Sequence, residues 1–477
     1  MVLRNVSASR LVALLGSSVQ SFPAYRGLAD GLRLLIADGR VPHGTRLPSE
    51  RDLTTALGVS RTTVSRAYAE LRDRGYLSSR RGSGSVVVLP GSGAAAPGLL
   101  TPGDRDDGVI DLTCAAPVAP PGTATAFEQA LEDLPTYLAG SGYHPTGLAP
   151  LREMIAQGYT DRGLPTYADQ IVVTTGALAA MAVVARALVG VGDRVLMESP
   201  TYPNAIATFR RSGARTVGVG IERDGWDTDA LHAALRQTAP RAAVLIPDFQ
   251  NPTGALMGTE QRAEVGHALA RTRTTGIVDE TLVDLRLDDV AMPAPLASFD
   301  RRAITIGSAS KSFWGGLRIG WLRAPSDQIG ALTESRVSFD LGAPVLEQLV
   351  LTRLLEHRGQ VLDHRRREAR QARAALAEAV RAQLPGWHFD VPPGGLALWC
   401  ELPEDLSSAL VAAAEREQML LAPGPRFAVE GGLERYLRLP YTLAPEVLAE
   451  AVGRIATAWE QAQRQRSATA RRPPLVA

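Results

Sequence analysis

The chain has 477 residues, of which 45% are hydrophobic and 21% are charged, as expected for a globular protein with more than one domain. No apolar run reaches the ~20 residues that a membrane helix needs. The apolar run at 11–16 is too short for a signal peptide, and no small-residue cleavage site follows it. The cysteines, Cys114 and Cys400, are far apart and form no CxxC motif, which argues against a disulfide framework and a zinc site. These features predict a cytoplasmic protein without a membrane partner.

Charge and composition divide the chain into segments. The formal net charge is +1, yet residues 21–88 hold 11 arginines against 6 acidic residues, so the remainder is acidic. Residues 89–108 are rich in glycine, proline and alanine, as in an interdomain linker. A basic module on an acidic body indicates nucleic-acid binding, although many solvated domains carry such a charge. The predicted organisation is a basic domain at 21–88, a linker at 89–108, a main body at 109–465 and a disordered basic tail at 466–477.

The basic segment carries helix signals. Apolar residues at 28, 32, 35 and 36 share one face of a predicted helix over 25–39. Ser49 and Ser60 can each cap a following helix, and Gly58 between them permits a sharp turn. This is the pattern of a helix-turn-helix, in which the N-terminal residues of the second helix reach the bases of DNA. Residues 77–88 then alternate as a β-hairpin with a basic tip.

Periodicity alone also fits a small helical domain with solvated arginines. The run LPSERDLTTALGVSRTTVSRAYAELRDRGYLSSRRGSGSVV, however, resembles the GntR-type winged helix almost throughout. The resemblance implies that double-stranded DNA is a partner. The predicted DNA-binding residues are Arg51, Ser60, Arg61, Thr62, Thr63, Arg66, Arg81 and Gly82.

The main body alternates apolar strands with helices. Strands are predicted at 171–176, 193–198, 242–247 and 275–280. Buried apolar strands that alternate with helices indicate an α/β fold with a mostly parallel sheet. Ligands on such sheets bind at the carboxyl ends of the strands.

Lys311, in the stretch GSASKSFWGG at 307–316, is the only lysine in the chain beside 50 arginines. An amine can lose its proton and react with a carbonyl, whereas a guanidinium cannot. A GC-rich coding sequence could also leave one lysine by chance. The neighbouring motifs favour the chemical role, because TTGALAA, SPTYPN, QNPTG and Asp279 each follow a predicted strand.

Together these motifs resemble the fold-type I pyridoxal-phosphate enzymes, the aspartate aminotransferase superfamily, over about 109–460. The resemblance implies a smaller C-terminal α+β subdomain beside the main sheet. It implies that Lys311 attaches pyridoxal 5′-phosphate covalently, that Asp279 binds the pyridine nitrogen, and that Arg438 binds a substrate carboxylate. The other residues implied to bind the cofactor are Asn251, Tyr202, Gly176, Ala177, Ser308, Ser310, Arg318 and, across a dimer, Tyr143.

One departure from that family concerns the tyrosine that usually follows the aspartate. Thr281 and Leu282 stand in its place, which is expected to alter the amine chemistry and weaken transamination. Leu178 also replaces a more usual polar residue in the phosphate turn.

A GntR-type winged helix, a linker and an aminotransferase-like body resemble the MocR family of transcription regulators. The resemblance implies a homodimeric regulator that senses pyridoxal phosphate or an amino-acid-type amine. The alternative is a pyridoxal-phosphate-dependent aminotransferase with an accessory DNA-binding domain. A DNA-binding scaffold without cofactor fits poorly, because the one lysine stands in the motif that attaches the cofactor.

Overall fold

The computed structural model describes residues 5–15, 23–37, 40–42, 44–80, 84–87, 108–222 and 225–470. The chain forms two compact units, Met1–Thr101 and Pro102–Ala477. Nearly all of the predicted linker lies outside the described residues, so its boundaries stay predictions. None of the helices in the described ranges is both long and apolar enough to span a membrane.

The first unit contains a helix-turn-helix followed by a hairpin, as predicted. Ser49 Oγ accepts a hydrogen bond from the Asp52 backbone N–H at 3.1 Å, and Ser60 Oγ accepts one from the Thr63 N–H at 3.1 Å. Gly58 ends the first of these two helices at φ +66°, where a side chain would be strained. The elements are α1 Ala8–Leu15, α2 Ala24–Ala37, α3 Glu50–Leu57, α4 Arg61–Asp73, β1 Leu77–Arg80 and β2 Gly84–Val87.

Helix α1 was not foreseen from the sequence. Its Leu11 and Leu15 are buried in the same apolar core as Leu28, Leu32 and Val64. Leu11 and Leu15 of the apolar run therefore pack within this unit, on the N-terminal side of the predicted domain boundary at residue 21.

The second unit is larger and combines a central sheet with many helices. Its helices are α5 Thr123–Asp133, α6 Pro135–Leu138, α7 Ala149–Asp161, α8 Ala177–Leu188, α9 Pro203–Arg211, α10 Thr228–Thr238, α11 Thr259–Thr272, α12 Ser326–Val337, α13 Val345–Glu356, α14 Arg358–Gln383, α15 Ser407–Ala414 and α16 Pro445–Ala470. Its strands are β3 Ile110–Asp111, β4 Ile171–Thr174, β5 Arg194–Ser199, β6 Arg215–Glu222, β7 Gly225–Trp226, β8 Ala242–Leu245, β9 Thr275–Asp279, β10 Ile304–Ser308, β11 Gly320–Arg323, β12 Ala397–Glu401, β13 Met419–Leu420, β14 Ala422–Pro423 and β15 Tyr436–Pro440.

The central sheet has the strand order β4-β11-β10-β9-β8-β5-β6-β7. The run from β10 through β6 is parallel, whereas β11 is antiparallel to both of its neighbours and β7 is an antiparallel edge. Alternate strand residues enter two separate apolar cores: Val244 and Ile277 lie in one, and Leu245 and Val278 lie in the other. Both faces are thus covered, which explains the continuous apolar strands. The predicted α/β class is confirmed.

A smaller α+β subdomain is also confirmed. Strands β12, β15 and β14 form an antiparallel sheet. Its buried Leu398 and Leu437 share an apolar core with Leu376 of α14 and Ile455 of α16. Helix α16 continues to Ala470, so the predicted boundary at 465 lies inside a helix. Residues 471–477 lie outside the described part of the chain.

Candidate cofactor site and DNA-binding helix

Lys311 lies just after the carboxyl end of β10, in a π-helical turn over Ser310–Trp314. Its Nζ donates a hydrogen bond to the Ala115 carbonyl oxygen at 2.6 Å. Burial is the main reason that the pKa of Lys311 is lowered, and the charge of Arg438 lowers it further, against the opposing effect of Asp279. The amine therefore gives up its proton more readily than an exposed lysine, as a nucleophile must.

Asp279 ends strand β9, which is the parallel neighbour of β10. The side chain is buried, and its Oδ1 accepts a hydrogen bond from the Thr281 N–H at 2.9 Å. Burial raises the pKa of this carboxyl, and the Thr281 hydrogen bond and Lys311 oppose the rise. A cationic N–H group bound beside it would lower that pKa again, so the site favours such a ligand.

Arg438 projects from β15 as a buried cation. Its Nη1 donates to Asn251 Oδ1 at 3.3 Å, and its Nη2 donates to the Thr113 carbonyl oxygen. Its Nε has no hydrogen-bond partner, and no ion pair joins it to a carboxylate in the described part of the chain. Burial lowers the pKa of Arg438 to about 10, while Asp111 opposes the shift weakly. The guanidinium is therefore available to an anionic group.

Tyr202 precedes helix α9, after the carboxyl end of β5. Its hydroxyl accepts a hydrogen bond from Asn204 Nδ2 at 3.0 Å. Burial, with the charge of Asp279, raises the pKa of Tyr202 to about 12, so the phenol is neutral at physiological pH. Tyr202, Asn251, Asp279, Lys311 and Arg438 thus form one electrostatically linked group of buried or half-buried side chains.

The predicted phosphate residues come together around the start of helix α8. Gly176 has φ +103°, and a Cβ atom there would lie 3.0 Å from Arg318 Nη2. Gly320 of strand β11 also lies close to this turn, because a Cβ atom on Gly320 would lie 2.5 Å from the Ala177 backbone nitrogen. No side chain caps α8, so its first N–H groups can bind an anion. Leu178 is 39% exposed and supplies no polar atom.

Two of the predicted phosphate residues are serines at the carboxyl end of β10. Ser308 closes β10 and is buried, and its Oγ accepts a hydrogen bond from the Ser310 N–H at 3.1 Å. Arg318 Nη2 donates to the Thr175 carbonyl oxygen at 3.0 Å, which ties this segment to the turn before α8.

Tyr143 is not joined to these residues within one chain. The residue is 64% exposed, and its backbone N–H donates to Ser141 Oγ at 3.4 Å. Its predicted role in the site of a partner subunit stays a prediction.

The segment at 113–115 is a part of the site that sequence reasoning missed. The carbonyl oxygens of Thr113 and Ala115 accept from Arg438 and Lys311, and the Cys114 thiol lies close enough to affect the pKa of both. Strand β3 holds this segment by parallel pairing with β13. Backbone carbonyls carry no side-chain signature, so no sequence pattern pointed to them.

In the first unit, α4 presents the predicted DNA-reading residues. Arg61 and Thr62 are exposed in its first turn, and Arg51 is exposed on α3. The hydroxyls of Ser60 and Thr63 lie 2.8 Å apart in the cap of α4. The Arg66 guanidinium lies 4.3 Å from the centre of the Tyr25 ring. Arg81 and Gly82 lie outside the described residues.

Comparison with known proteins assigns both units to families. Residues 127–455 match aminotransferase class I and II, and residues 24–87 match the bacterial regulatory proteins of the gntR family. The chain belongs to the aminotransferase class I and II family. It carries a GntR-family DNA-binding domain at its N-terminal side, and this fusion confirms the predicted MocR-type architecture.

Relatives share either the whole fusion or its larger part. An uncharacterized HTH-type transcriptional regulator of Bacillus subtilis, YdfD, is 25% identical over 89% of this chain and 94% of that protein. The probable rhizopine catabolism regulatory protein MocR of Rhizobium meliloti is 33% identical over 64% of this chain and 66% of that protein. A solved α-aminoadipate aminotransferase from Thermus thermophilus, in complex with N-(5′-phosphopyridoxyl)-L-leucine, is 29% identical, with a TM-score of 0.69 over 75% of this chain and 94% of that one.

Pyridoxal 5′-phosphate is the cofactor of this family, and the residues present fit it. The uncapped start of α8, with Gly176 and Arg318, suits a phosphate. The buried Asp279 suits a ring N–H, and the unpartnered Nε of Arg438 suits an anionic ligand.

Proposed function

We propose that this protein is a transcription regulator that binds DNA through helix α4 and senses pyridoxal phosphate, or an amino-acid-type amine, at Lys311. The observation that carries the proposal is the union of two sites in one chain. A helix-turn-helix exposes Arg61 and Thr62, and a separate unit holds the sole lysine, half-buried, where the charges of Asp279 and Arg438 act on it.

The proposed roles in the cofactor site follow from the environment of each side chain. When bound, pyridoxal phosphate supplies an aldehyde and an electron-withdrawing ring that react with primary amines. Lys311 supplies the attacking amine, because burial lowers its pKa. Asp279 accepts the ring N–H, and Asn251 is free to donate its amide N–H, since its oxygen already accepts from Arg438. Arg438 selects amines that carry a carboxylate.

Sensing is favoured over turnover by the side chains after Asp279. Leu282 packs against the apolar core of the smaller subdomain and has no hydroxyl to offer, and the Thr281 hydroxyl acts on the Asp279 carboxyl, whose pKa it lowers. Asn251 is therefore the one predicted donor to the ring oxygen, where the family usually has two. The runner-up function is an aminotransferase, and steady-state turnover of an amino-acid panel with 2-oxo acids tests it directly.

The proposed assembly is a homodimer in which Tyr143 reaches the phosphate in the site of a partner subunit. The exposed aromatic ring of Tyr143 supports this proposal. Mixing Lys311→Ala with Tyr143→Ala protomers should create some high-affinity cofactor sites that neither variant has alone. A mixture whose cofactor affinity is the average of its two components contradicts the proposal that Tyr143 contributes to the site of a partner subunit.

Lys311→Arg tests the cofactor assignment. The variant keeps the positive charge but has no amine to react, so it should fold, bind DNA and lack visible cofactor absorbance after dialysis. Its DNA binding should no longer respond to pyridoxal phosphate. Retained visible absorbance in Lys311→Arg contradicts the assignment, and Lys311→Ala serves as the matched variant without charge.

A further inference from the structure

Glu198 is a buried carboxylate behind the cofactor site, at the carboxyl end of β5. It is 2% exposed, and no cation pairs with it among the described residues. Its Oε1 accepts hydrogen bonds from Trp226 Nε1 at 2.8 Å and from the Ile246 N–H at 3.0 Å. Its Oε2 accepts one from Gln250 Nε2 at 3.0 Å. All three contacts come from donors, which matches an ionised carboxylate.

Gln250 extends this network into two loops. The same Nε2 group donates to the Pro200 carbonyl oxygen at 2.8 Å. The Gln250 Oε1 accepts from the Thr253 N–H at 3.0 Å and from Thr253 Oγ1 at 2.9 Å. The side chain is 1% exposed, so these bonds are made without competition from water.

The two loops carry predicted cofactor contacts. Pro200 lies two residues before Tyr202, and Gln250 directly precedes Asn251. One buried carboxylate, acting through one amide, therefore ties the loop after β5 to the loop after β8. Glu198 itself has no hydrogen bond to Tyr202 or Asn251 among its contacts.

The chemistry of this position requires an acceptor. An amide at 198 would place its own NH₂ group against the NH₂ group of Gln250. To avoid that contact, Gln250 would have to turn its amide and give up its bonds to Pro200 and Thr253. The loss would appear as misplacement of both loops and not only as lost stability.

We propose that Glu198 is a positioning residue that, through Gln250, holds Tyr202 and Asn251 at the separation that pyridoxal phosphate requires. The inference rests on the proposed cofactor role of Lys311. Burial raises the pKa of Glu198 to about 7. A carboxyl group kept buried at such a cost, without a cation, supports a role in the site over a role in stability.

The test measures the binding of pyridoxal phosphate to the full chain in buffered solution. Glu198→Gln should raise the dissociation constant for pyridoxal phosphate by about tenfold or more, as is common when a residue that supports a binding site is lost. It should also shift the visible absorbance band, because Asn251 and Tyr202 are the proposed contacts of the cofactor ring. The matched control is Asp300→Asn, a carboxyl that is equally buried and that, among the described residues, accepts a side-chain hydrogen bond from the Arg302 N–H alone, at 3.0 Å.

Three further measurements keep the inference open to refutation. Gln250→Leu removes the link but leaves two of the three donors to Glu198, and it should reproduce the effect if Glu198→Gln does not fold. The exchange Glu198→Gln with Gln250→Glu restores an acceptor opposite an amide and should recover part of the affinity. Thermal unfolding of the cofactor-free variants separates stability from positioning.

Unchanged affinity and spectrum in folded Glu198→Gln overturn the inference. So does a loss of affinity that merely follows a loss of stability and is matched by Asp300→Asn. Failure of the wild-type protein to bind pyridoxal phosphate, or equal binding by Lys311→Arg, refutes the proposed cofactor role itself and removes the basis of this inference with it.

Discussion

Replacement of Arg438 by methionine should stabilise the cofactor-free protein while abolishing its response to carboxylate-bearing amines. Burial lowers the pKa of Arg438 from its usual value to about 10, which corresponds to about 3 kcal/mol against the charged form in the folded state. Because the folded pKa of this base is depressed, the penalty is present in full at every pH below about 10. Methionine removes it but loses the hydrogen bonds to Asn251 and Thr113, worth about 2 kcal/mol. The expected net gain in the free energy of unfolding is about 1 kcal/mol.

Arg262→Met is the matched control for this experiment. Arg262 is also fully buried, but its Nη2 lies 2.8 Å from Asp248 Oδ1 in a buried ion pair. Its removal leaves the Asp248 carboxylate buried without a cation and should lower the free energy of unfolding by about 3–5 kcal/mol. Urea unfolding followed by tryptophan fluorescence is a suitable assay, because all six tryptophans lie in the second unit. A destabilisation by Arg438→Met as large as that of Arg262→Met would refute the reasoning.

Three other predictions concern the two sites. Arg61→Ala should weaken operator binding by about 1–3 kcal/mol and relax sequence preference, whereas Arg74→Ala at the other end of α4 should change neither; gel-shift titrations over several salt concentrations check this. Gly176→Ala should weaken pyridoxal phosphate binding, measured by equilibrium dialysis, because its φ of +103° strains a side chain and the new methyl meets Arg318. Cofactor affinity should fall as pH drops below about 7, because protonation of Glu198 removes a hydrogen-bond acceptor. The charged group that acts on Glu198 is Asp279, which raises the pKa of Glu198 further. The stability of the cofactor-free protein should change with pH in the opposite direction. Because the pKa of Glu198 is raised in the folded state, the contribution of Glu198 to the free energy of unfolding declines as pH rises from 4.5 to about 7. Glu198→Gln should flatten both pH profiles.

Much of the fold follows from local signals. Ser49, Gly58 and Ser60 mark the turn of the helix-turn-helix. The serine hydroxyls accept hydrogen bonds from backbone N–H groups of the helices that follow them, and Gly58 takes up the left-handed backbone conformation. The apolar runs predicted the parallel strands because both faces of that sheet are buried. Since parallel strands end at one edge, residues that follow them in sequence meet in space, as Asp279 and Lys311 do.

The remaining features depend on contacts between distant segments. The carbonyl oxygens of Thr113 and Ala115 enter the site because β3 pairs with β13, about three hundred residues away, and a two-residue strand has no readable periodicity. Glu198 gave no signal, because its role depends on Trp226 and Gln250 folding onto it. Helix α1 was missed because its short apolar run is stabilised by packing and not by its own pattern.

The measurement that tests the central claim most directly is DNase footprinting on the DNA that flanks the gene for this chain. It should compare the cofactor-free protein, the protein with pyridoxal phosphate, and the protein with the cofactor plus each member of an amino-acid panel, with Lys311→Arg run in parallel. A protected site whose pattern changes with the cofactor or with one amine, and does not change in Lys311→Arg, is the predicted result. Absence of specific protection under every condition, together with efficient turnover of an amino acid, would contradict the account and identify the protein as an aminotransferase.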